Sequence, residues 1–189
     1  NAAPRRVVKT LFGKGGVQGL DGEAHRPRKA MFMSLMTPAR IAELASLSEA
    51  LWSERAKEWE KRDRVVLYDE AREVLTRAVC AWSGVPLSEE EVAVRTAQLS
   101  AMFHDAGSLG PAHWRARAAR TRAERWIEKL IQEVRSGSLK PPVESAARVV
   151  TLHRDAEDRH LDPRVAAVEL INVLRPTVAV SVFVVFAAH

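Results

Sequence analysis

Apolar residues recur three or four positions apart along most of the chain, and this spacing marks one face of an α-helix. Thr37 and Pro38 have the sequence of a helix cap and first turn. The apolar face that follows them consists of Ile41, Leu44, Leu47 and Leu51. A second face, which ends at Gly84, consists of Ala71, Val74, Leu75, Ala78, Val79 and Trp82. The pattern predicts a mainly α protein.

Further start and stop signals divide the rest of the chain. The sequence SEEE is a capping box that opens a third helix. After the break AGSLGP, a fourth helix stops at Gly137, and its apolar side consists of Ile127, Leu130, Ile131 and Val134. The segment KPPVESAARVVTL predicts a short fifth helix. Asp162 and Pro163 begin a last helix that continues to His189.

Other segments give weaker signals. The run RVVLY at 64–68 is compact and β-like, and it predicts one short strand. The arginine-rich run HWRARAARTRAERW has the composition of a charged helix face, which we expect to be solvated. The last helix has no C-terminal stop signal, so residues 1–189 are predicted to be a single partial domain of a longer protein.

The most apolar stretch, from Leu170 to Phe186, is nearly long enough to span a bilayer. Polar, charged or helix-breaking residues lie along it, namely Asn172, Arg175, Pro176, Thr177 and Ser181. A long helix through a soluble core explains them without placing an arginine in lipid. We therefore predict no membrane span.

Composition narrows the class of protein. The chain has 189 residues, of which 47% are apolar, and this is enough for one sizeable core. The net charge of +5 is spread among acidic residues, which argues against a nucleic-acid partner. The single Cys80 excludes an internal disulfide and a cysteine-rich zinc site. Because the sequence also begins without a secretory signal pattern, we expect a cytoplasmic protein.

Five of the nine glycines lie in one segment, at positions 13, 15, 16, 19 and 22. A dinucleotide-binding loop would need a further glycine where Gln18 stands, and no Gly-Lys-Ser/Thr follows. We interpret the segment as a flexible loop that leads into a helix capped by Asp21. Phe12 and Gln18 supply this loop with an aromatic ring and an amide that can line a pocket.

Two features have the chemistry of an anion site. Arg175 and Pro176 interrupt the last apolar helix, where proline removes a backbone hydrogen bond and a buried guanidinium needs an anionic partner. His25 and Lys29 are four residues apart and project from one helix face towards a common anion. The second spacing is also found on solvated helix faces, and nothing nearby completes a metal-binding spacing.

Three segments, in this order and at these separations, resemble the bacterial fatty-acid peroxygenases of the cytochrome P-450 superfamily. They are LFGKGGVQGLDGEAHRPRKAMFMSLM, GSLGPAHW and NVLRPTVAVSVFVVFAAH. The resemblance covers essentially the whole chain. It implies the N-terminal portion of the cytochrome P-450 fold, with the B–C loop and helices C to I.

The resemblance also implies a chemistry. The cofactor would be haem b with its iron, and a long-chain fatty acid would be hydroxylated at the α or β carbon with hydrogen peroxide. Arg175 and Pro176 stand where most of the superfamily carries an acid-alcohol pair in helix I. In the peroxygenases this arginine holds the fatty-acid carboxylate, which acts as acid and base on the peroxide. A redox partner protein is then not required.

Further roles carry over from the same resemblance. Leu11, Phe12, Gln18 and Phe103 match residues that bind substrate, and His25 with Lys29 matches the pair that binds the haem propionates. Glutamine at position 18 is typical of the hydroxylating members, whereas the decarboxylating member has histidine. The family's axial cysteine follows helix I, so Cys80 is expected to be a core residue and the iron ligand is expected downstream.

Two alternatives remain open from the sequence. One is a reductase-dependent cytochrome P-450 monooxygenase, which the Arg-Pro pair disfavours. The other is a non-enzymatic helical module that binds fatty acids or other anions, because such a module would also bury an arginine opposite a carboxylate.

Overall fold

The computed structural model describes residues 4–189, which fold into nine α-helices. These are α1 (Arg5–Leu11), α2 (Gly22–Leu35), α3 (Pro38–Trp59), α4 (Leu67–Ser83), α5 (Glu89–His104), α6 (Pro111–Ser136), α7 (Ala146–Leu152), α8 (Pro163–Ala179) and α9 (Ser181–Ala188). A short 3₁₀ turn covers Val17–Gly19. An isolated bridge between Arg154 and His160 is the β pairing among the described residues.

Helix α8 is the centre of the fold and packs against α4, α5, α6 and α7. Leu170, Ile171 and Leu174 are fully buried, and apolar residues cover most of the helix circumference. Burial of each such side chain stabilises the fold by roughly 1.5–3 kcal/mol. The helix that carries Arg175 is therefore held rigidly from several sides.

Helix boundaries follow the signals in the sequence at most positions. The Thr37 and Asp162 side chains accept cap hydrogen bonds from the backbone N–H groups of Arg40 and Arg164. Gly84 and Gly137 end their helices at φ of 70° and 79°, a left-handed conformation that favours glycine. The predicted capping box is different: Ser88 is the N-cap of α5 but makes no side-chain cap hydrogen bond.

The prediction of a strand at 64–68 is wrong. Leu67 begins α4 instead, and the described residues contain no strand with which this run can pair. An unpaired strand leaves its backbone groups unsatisfied, whereas a helix satisfies them internally. The face predicted on α3 is only partly buried, since Ile41 is 53% exposed.

The last helix was predicted to continue to His189, but it breaks at Val180. Pro176 cannot donate to the carbonyl one turn earlier, and the Val180 N–H bonds to Thr177 O, three residues back, at 3.2 Å. The segment Pro163–Ala188 is long and apolar enough to cross a membrane by length and composition alone, since an 18-residue window within it has a mean hydropathy of 2.0. Its first part, α8, lies in the protein core.

Candidate functional site

Arg175 is buried in α8, with 7% of the residue exposed. Among the described residues its side chain has no hydrogen bond and no ion pair, and Nε is buried without a partner. Burial, together with the positive charge of Arg120, lowers the pKa of Arg175 to about 10. At neutral pH the site is thus a desolvated cation without a counter-ion in the part of the chain that the structure describes.

The ring of Phe12 lies beside this cation. The guanidinium carbon of Arg175 is 5.5 Å from the ring centroid, within the range of a cation–π contact. Such a contact orients the guanidinium but does not neutralise it. Phe12, at the end of α1, is half-buried, and Pro176 is exposed.

Asn172 lies one turn before Arg175 and ties the glycine-rich loop to α8. Its Nδ2 donates to the Phe12 carbonyl oxygen at 3.1 Å and to Gln18 Oε1 at 3.2 Å. The same nitrogen is 3.5 Å from Glu169 Oε2, so three oxygens fix the orientation of the amide. Its Oδ1 is buried and has no partner among the described residues.

A buried ion pair lies one turn further back along α8. Arg28 Nη1 donates to Glu169 Oε1 at 2.5 Å, and the Glu169 side chain is fully buried. Arg28 also reaches the Gly15 carbonyl oxygen at 3.4 Å. Burial raises the pKa of Glu169, while the hydrogen bond and charge of Arg28 act in the opposite direction.

The glycine-rich loop is packed closely against two helices, although the sequence suggested a flexible segment. A Cβ at Gly13, whose φ is +80°, would collide with Arg120 Nη2. A Cβ at Gly16 would lie 3.0 Å from Asn172 Nδ2. Glycine is needed at position 13, where φ is positive and the backbone approaches side chains of α6 and α8, and a Cβ at position 16 would be tight against α8. Asp21 is the N-cap of α2, as predicted, but makes no side-chain cap bond.

The prediction that the arginine-rich run is solvated is wrong for Arg120, which is 3% exposed. Its Nη1 donates to the Leu11 carbonyl oxygen at 2.9 Å, and its Nε pairs with Glu124 at 2.7 Å. Burial lowers the pKa of Arg120. Sequence reasoning missed this residue, although its spacing from Ala116, Ala123 and Ile127, all fully buried, places it on the core face of α6.

Arg28 was missed for a similar reason. Its place on the buried side of α2 is indicated by Met31 and Leu35, which follow it at helical spacing and are buried with it. The pairing with Glu169 joins residues 141 positions apart, which no local pattern reveals.

His25 and Lys29 lie one turn apart on α2, which begins at Gly22 and continues through Pro27. His25 is half-buried and Lys29 is exposed. Neither forms an ion pair with another described residue, so both can receive an anion.

The remaining predicted residues lie on three different elements. Leu11 is half-buried at the end of α1, Gln18 is exposed in the 3₁₀ turn, and Phe103 is half-buried on α5 and packs against the hydrophobic core. Cys80 is buried in α4 and burial raises its pKa to about 12, so this sulfur is a neutral core thiol.

No family model matches the sequence. Solved structures match it closely. Cytochrome P450SP alpha (CYP152B1) in complex with (R)-ibuprofen is 51% identical over 100% of this chain and 46% of that chain, with a TM-score of 0.95. Cytochrome P450EX alpha (CYP152N1) with myristic acid is 48% identical over 99% of this chain and 45% of that one, with a TM-score of 0.93. Ligand-free cytochrome P450 OleT is 34% identical over 98% of this chain and 45% of that chain, with a TM-score of 0.94.

The chain therefore has the fold of a cytochrome P450 along its whole length. Within that superfamily it belongs with the CYP152 fatty-acid peroxygenases, which confirms the resemblance inferred from the sequence. It spans slightly less than half of the length of the structures that it matches.

Proposed function

We propose that this chain is part of a haem-dependent enzyme that hydroxylates long-chain fatty acids at the α or β carbon with hydrogen peroxide. The observation that carries the proposal is the buried Arg175 guanidinium without a counter-ion. A fatty-acid carboxylate fits this need, because a guanidinium fork can donate two parallel hydrogen bonds to it. The pairing offsets the cost of burying either charge alone.

The bound carboxylate would be the acid–base group for peroxide. Held by Arg175, it can accept a proton from one peroxide oxygen and return it to the other, and a positioned acid or base of this kind contributes on the order of 10²–10⁴-fold in rate. Phe12 limits the directions in which the guanidinium can point. Pro176, which lacks a backbone N–H, loosens the helix beside this site.

His25 and Lys29 fit the two carboxylates of haem b, since they share a side of α2 and have no ion-pair partner among the described residues. Haem iron, when bound, would supply the oxidising chemistry. Cys80 does not fit the axial position because it is a buried neutral thiol. The thiolate would therefore have to come from outside the 189 residues.

Gln18 supports hydroxylation over alkene formation. It is fixed by its bond to Asn172 at the edge of the loop that carries Phe12, and an amide in that place is neutral and is a poor proton donor. With Leu11 and Phe103 it would line the path of the alkyl chain. We further propose that the enzyme is cytoplasmic and needs no redox partner protein.

The test uses the full-length haem protein. Wild type, Arg175→Ala and Arg164→Ala are compared for fatty-acid turnover with hydrogen peroxide; Arg164 is on the same helix, with 82% of its side chain exposed. We expect Arg175→Ala to lose turnover even at saturating fatty acid, because the acid–base group is misplaced as well as weakly bound. Arg164→Ala should behave as wild type.

Normal turnover of Arg175→Ala would contradict the proposal. A second arm supplies reductase and NADPH without peroxide, and product formed only under those conditions would favour the monooxygenase alternative. Fatty-acid binding with no product under either condition would favour the non-enzymatic module.

A further inference from the structure

A buried ion pair between Arg28 and Glu169 lies outside the residues assigned to substrate. Glu169 is 0% exposed, yet its carboxylate accepts from Arg28 of α2 and lies 3.5 Å from Asn172 Nδ2. Buried carboxylates are uncommon unless they are paired and hydrogen-bonded. Arg28 and Asn172 in turn bond to the segment that contains Phe12 and Gln18.

Glu169 and Asn172 together hold this segment at several points. Arg28, fixed by Glu169, reaches the Gly15 carbonyl oxygen, and Asn172 holds the Phe12 carbonyl oxygen and the Gln18 side chain. Phe12, whose ring lies beside Arg175, and the loop that follows it therefore take their position from α8 itself, one and two turns before the arginine.

We propose that Glu169 is a positioning residue: its pairing with Arg28 fixes the glycine-rich loop, and so places Phe12 against Arg175. The effect of this placement on catalysis rests on the function proposed above. The placement of the loop itself does not depend on any reaction. Burial lowers the pKa of Arg120, and the negative charge of Glu169 offsets part of this effect. The charge of Glu169 thus stabilises Arg28 and Arg120, and Arg175 stays available for an external carboxylate.

The first test is amide hydrogen exchange of the loop in the full-length haem protein without fatty acid. Glu169→Gln removes the charge and keeps the shape, and we expect exchange at residues 12–20 to become at least about tenfold faster. The control is Glu23→Gln, which breaks the exposed Arg26–Glu23 pair of the same helix α2, and it should leave the loop unchanged.

A double variant separates positioning from simple stabilisation. Arg28→Met with Glu169→Leu replaces the ion pair by apolar side chains, and such replacements often keep the stability of a core. We expect wild-type exchange in α4 and α5 but fast exchange in the loop, because neither new side chain can donate a hydrogen bond to the Gly15 carbonyl oxygen. Loop exchange that returned to the wild-type rate would overturn the proposal.

Gly16→Ala approaches the same question with the ion pair intact, and remains informative if Glu169→Gln does not fold. A Cβ at Gly16 would lie 3.0 Å from Asn172 Nδ2 and 3.1 Å from Val168 Cγ1, so either these side chains or the loop must shift by a few tenths of an ångström, and we expect the loop to shift because both side chains are buried in α8. Gly19→Ala is the matched control, since nothing lies within 4 Å of its Cβ. Equal loop exchange rates in the two variants would contradict the proposed packing of the loop against α8.

Fatty-acid affinity, followed through the haem Soret band, links the loop to Arg175. We expect Glu169→Gln and Gly16→Ala to bind about tenfold more weakly, and Glu23→Gln and Gly19→Ala to bind as wild type. Fast loop exchange with unchanged affinity would refute the link to the carboxylate site. Failure of the Arg175 test with a positive exchange result would refute the proposed function and leave the loop placement intact.

Discussion

Asn172 donates through Nδ2 to the backbone carbonyl oxygen of Phe12 at 3.1 Å, and the two residues are 160 positions apart in the chain. One amide of the central helix therefore holds the residue whose ring lies beside Arg175. Asn172→Ala would leave the partly buried Phe12 carbonyl oxygen without this donor. We expect it to destabilise the protein by about 1–3 kcal/mol, measured by chemical denaturation.

Asn172→Asp separates the hydrogen bond from the shape of the side chain. The new carboxylate would face the carbonyl of Phe12 and the carboxylate of Glu169, with oxygens where the native nitrogen now lies. At pH 8 we expect Asn172→Asp to lose more unfolding free energy than Asn172→Ala. At pH 5 the loss for Asn172→Asp should be smaller than at pH 8, because the new carboxylate begins to accept a proton. A pH-independent loss would contradict this explanation.

Arg175→Met should stabilise the protein when no fatty acid is present. The substitution keeps an unbranched side chain and removes a buried charge that has no partner among the described residues. We expect a gain of about 1–3 kcal/mol, seen as a higher Tm. Fatty acid should raise the Tm of wild type and leave that of Arg175→Met unchanged. Arg164→Met on the same helix is the control. Its Tm without fatty acid and its rise in Tm with fatty acid should both equal those of wild type.

Glu124 is the counter-ion of the buried Arg120. Its removal should lower the unfolding free energy much more than removal of one partner of an exposed ion pair. We expect Glu124→Gln to cost about 1–3 kcal/mol of unfolding free energy, because Glu124 is itself 30% exposed and water screens part of the effect. Glu133→Gln removes the i, i+4 partner of the exposed Lys129 on the same helix and should cost about 0–0.5 kcal/mol. Equal losses would show that burial of Arg120 does not decide the effect.

Cys80 should be unreactive in the folded chain. Burial raises its pKa to about 12 and the residue is 1% exposed, so both thiolate formation and access are suppressed. A thiol reagent at pH 8 is expected to label it only after denaturation. Because the folded pKa lies above the unfolded value, the stability from this group is present below pH 9 and falls as the pH rises towards 12.

Much of the fold is visible in the sequence because caps and helix ends are local. Thr37, Asp162, Gly84 and Gly137 fix their boundaries through neighbours within a turn. Helix α1, with seven residues, was not predicted, since a segment so short has little intrinsic helix stability and depends on packing.

The residues of the candidate site also differ in whether the local sequence reveals them. Arg175 stands out in the sequence because a charge in an apolar helix breaks a local rule. The Arg28–Glu169 pair does not, because each residue looks ordinary in its own helix and only the fold brings them together. Arg120 lies between these cases: helical spacing alone indicates the core face, but the excess of neighbouring charges hides it.

The close approach of the glycine-rich loop also decides how this region can vary. In a mutational library over the loop, position 13 should return glycine almost alone, because its φ is +80° and a Cβ there meets Arg120 and Val168. Position 16 should favour glycine less strictly, because a Cβ there is tight against Asn172 and Val168, whereas position 19 has open space and should accept many residues. Selection for new substrates can therefore reshape the loop through position 19, while the glycine at position 13 remains fixed.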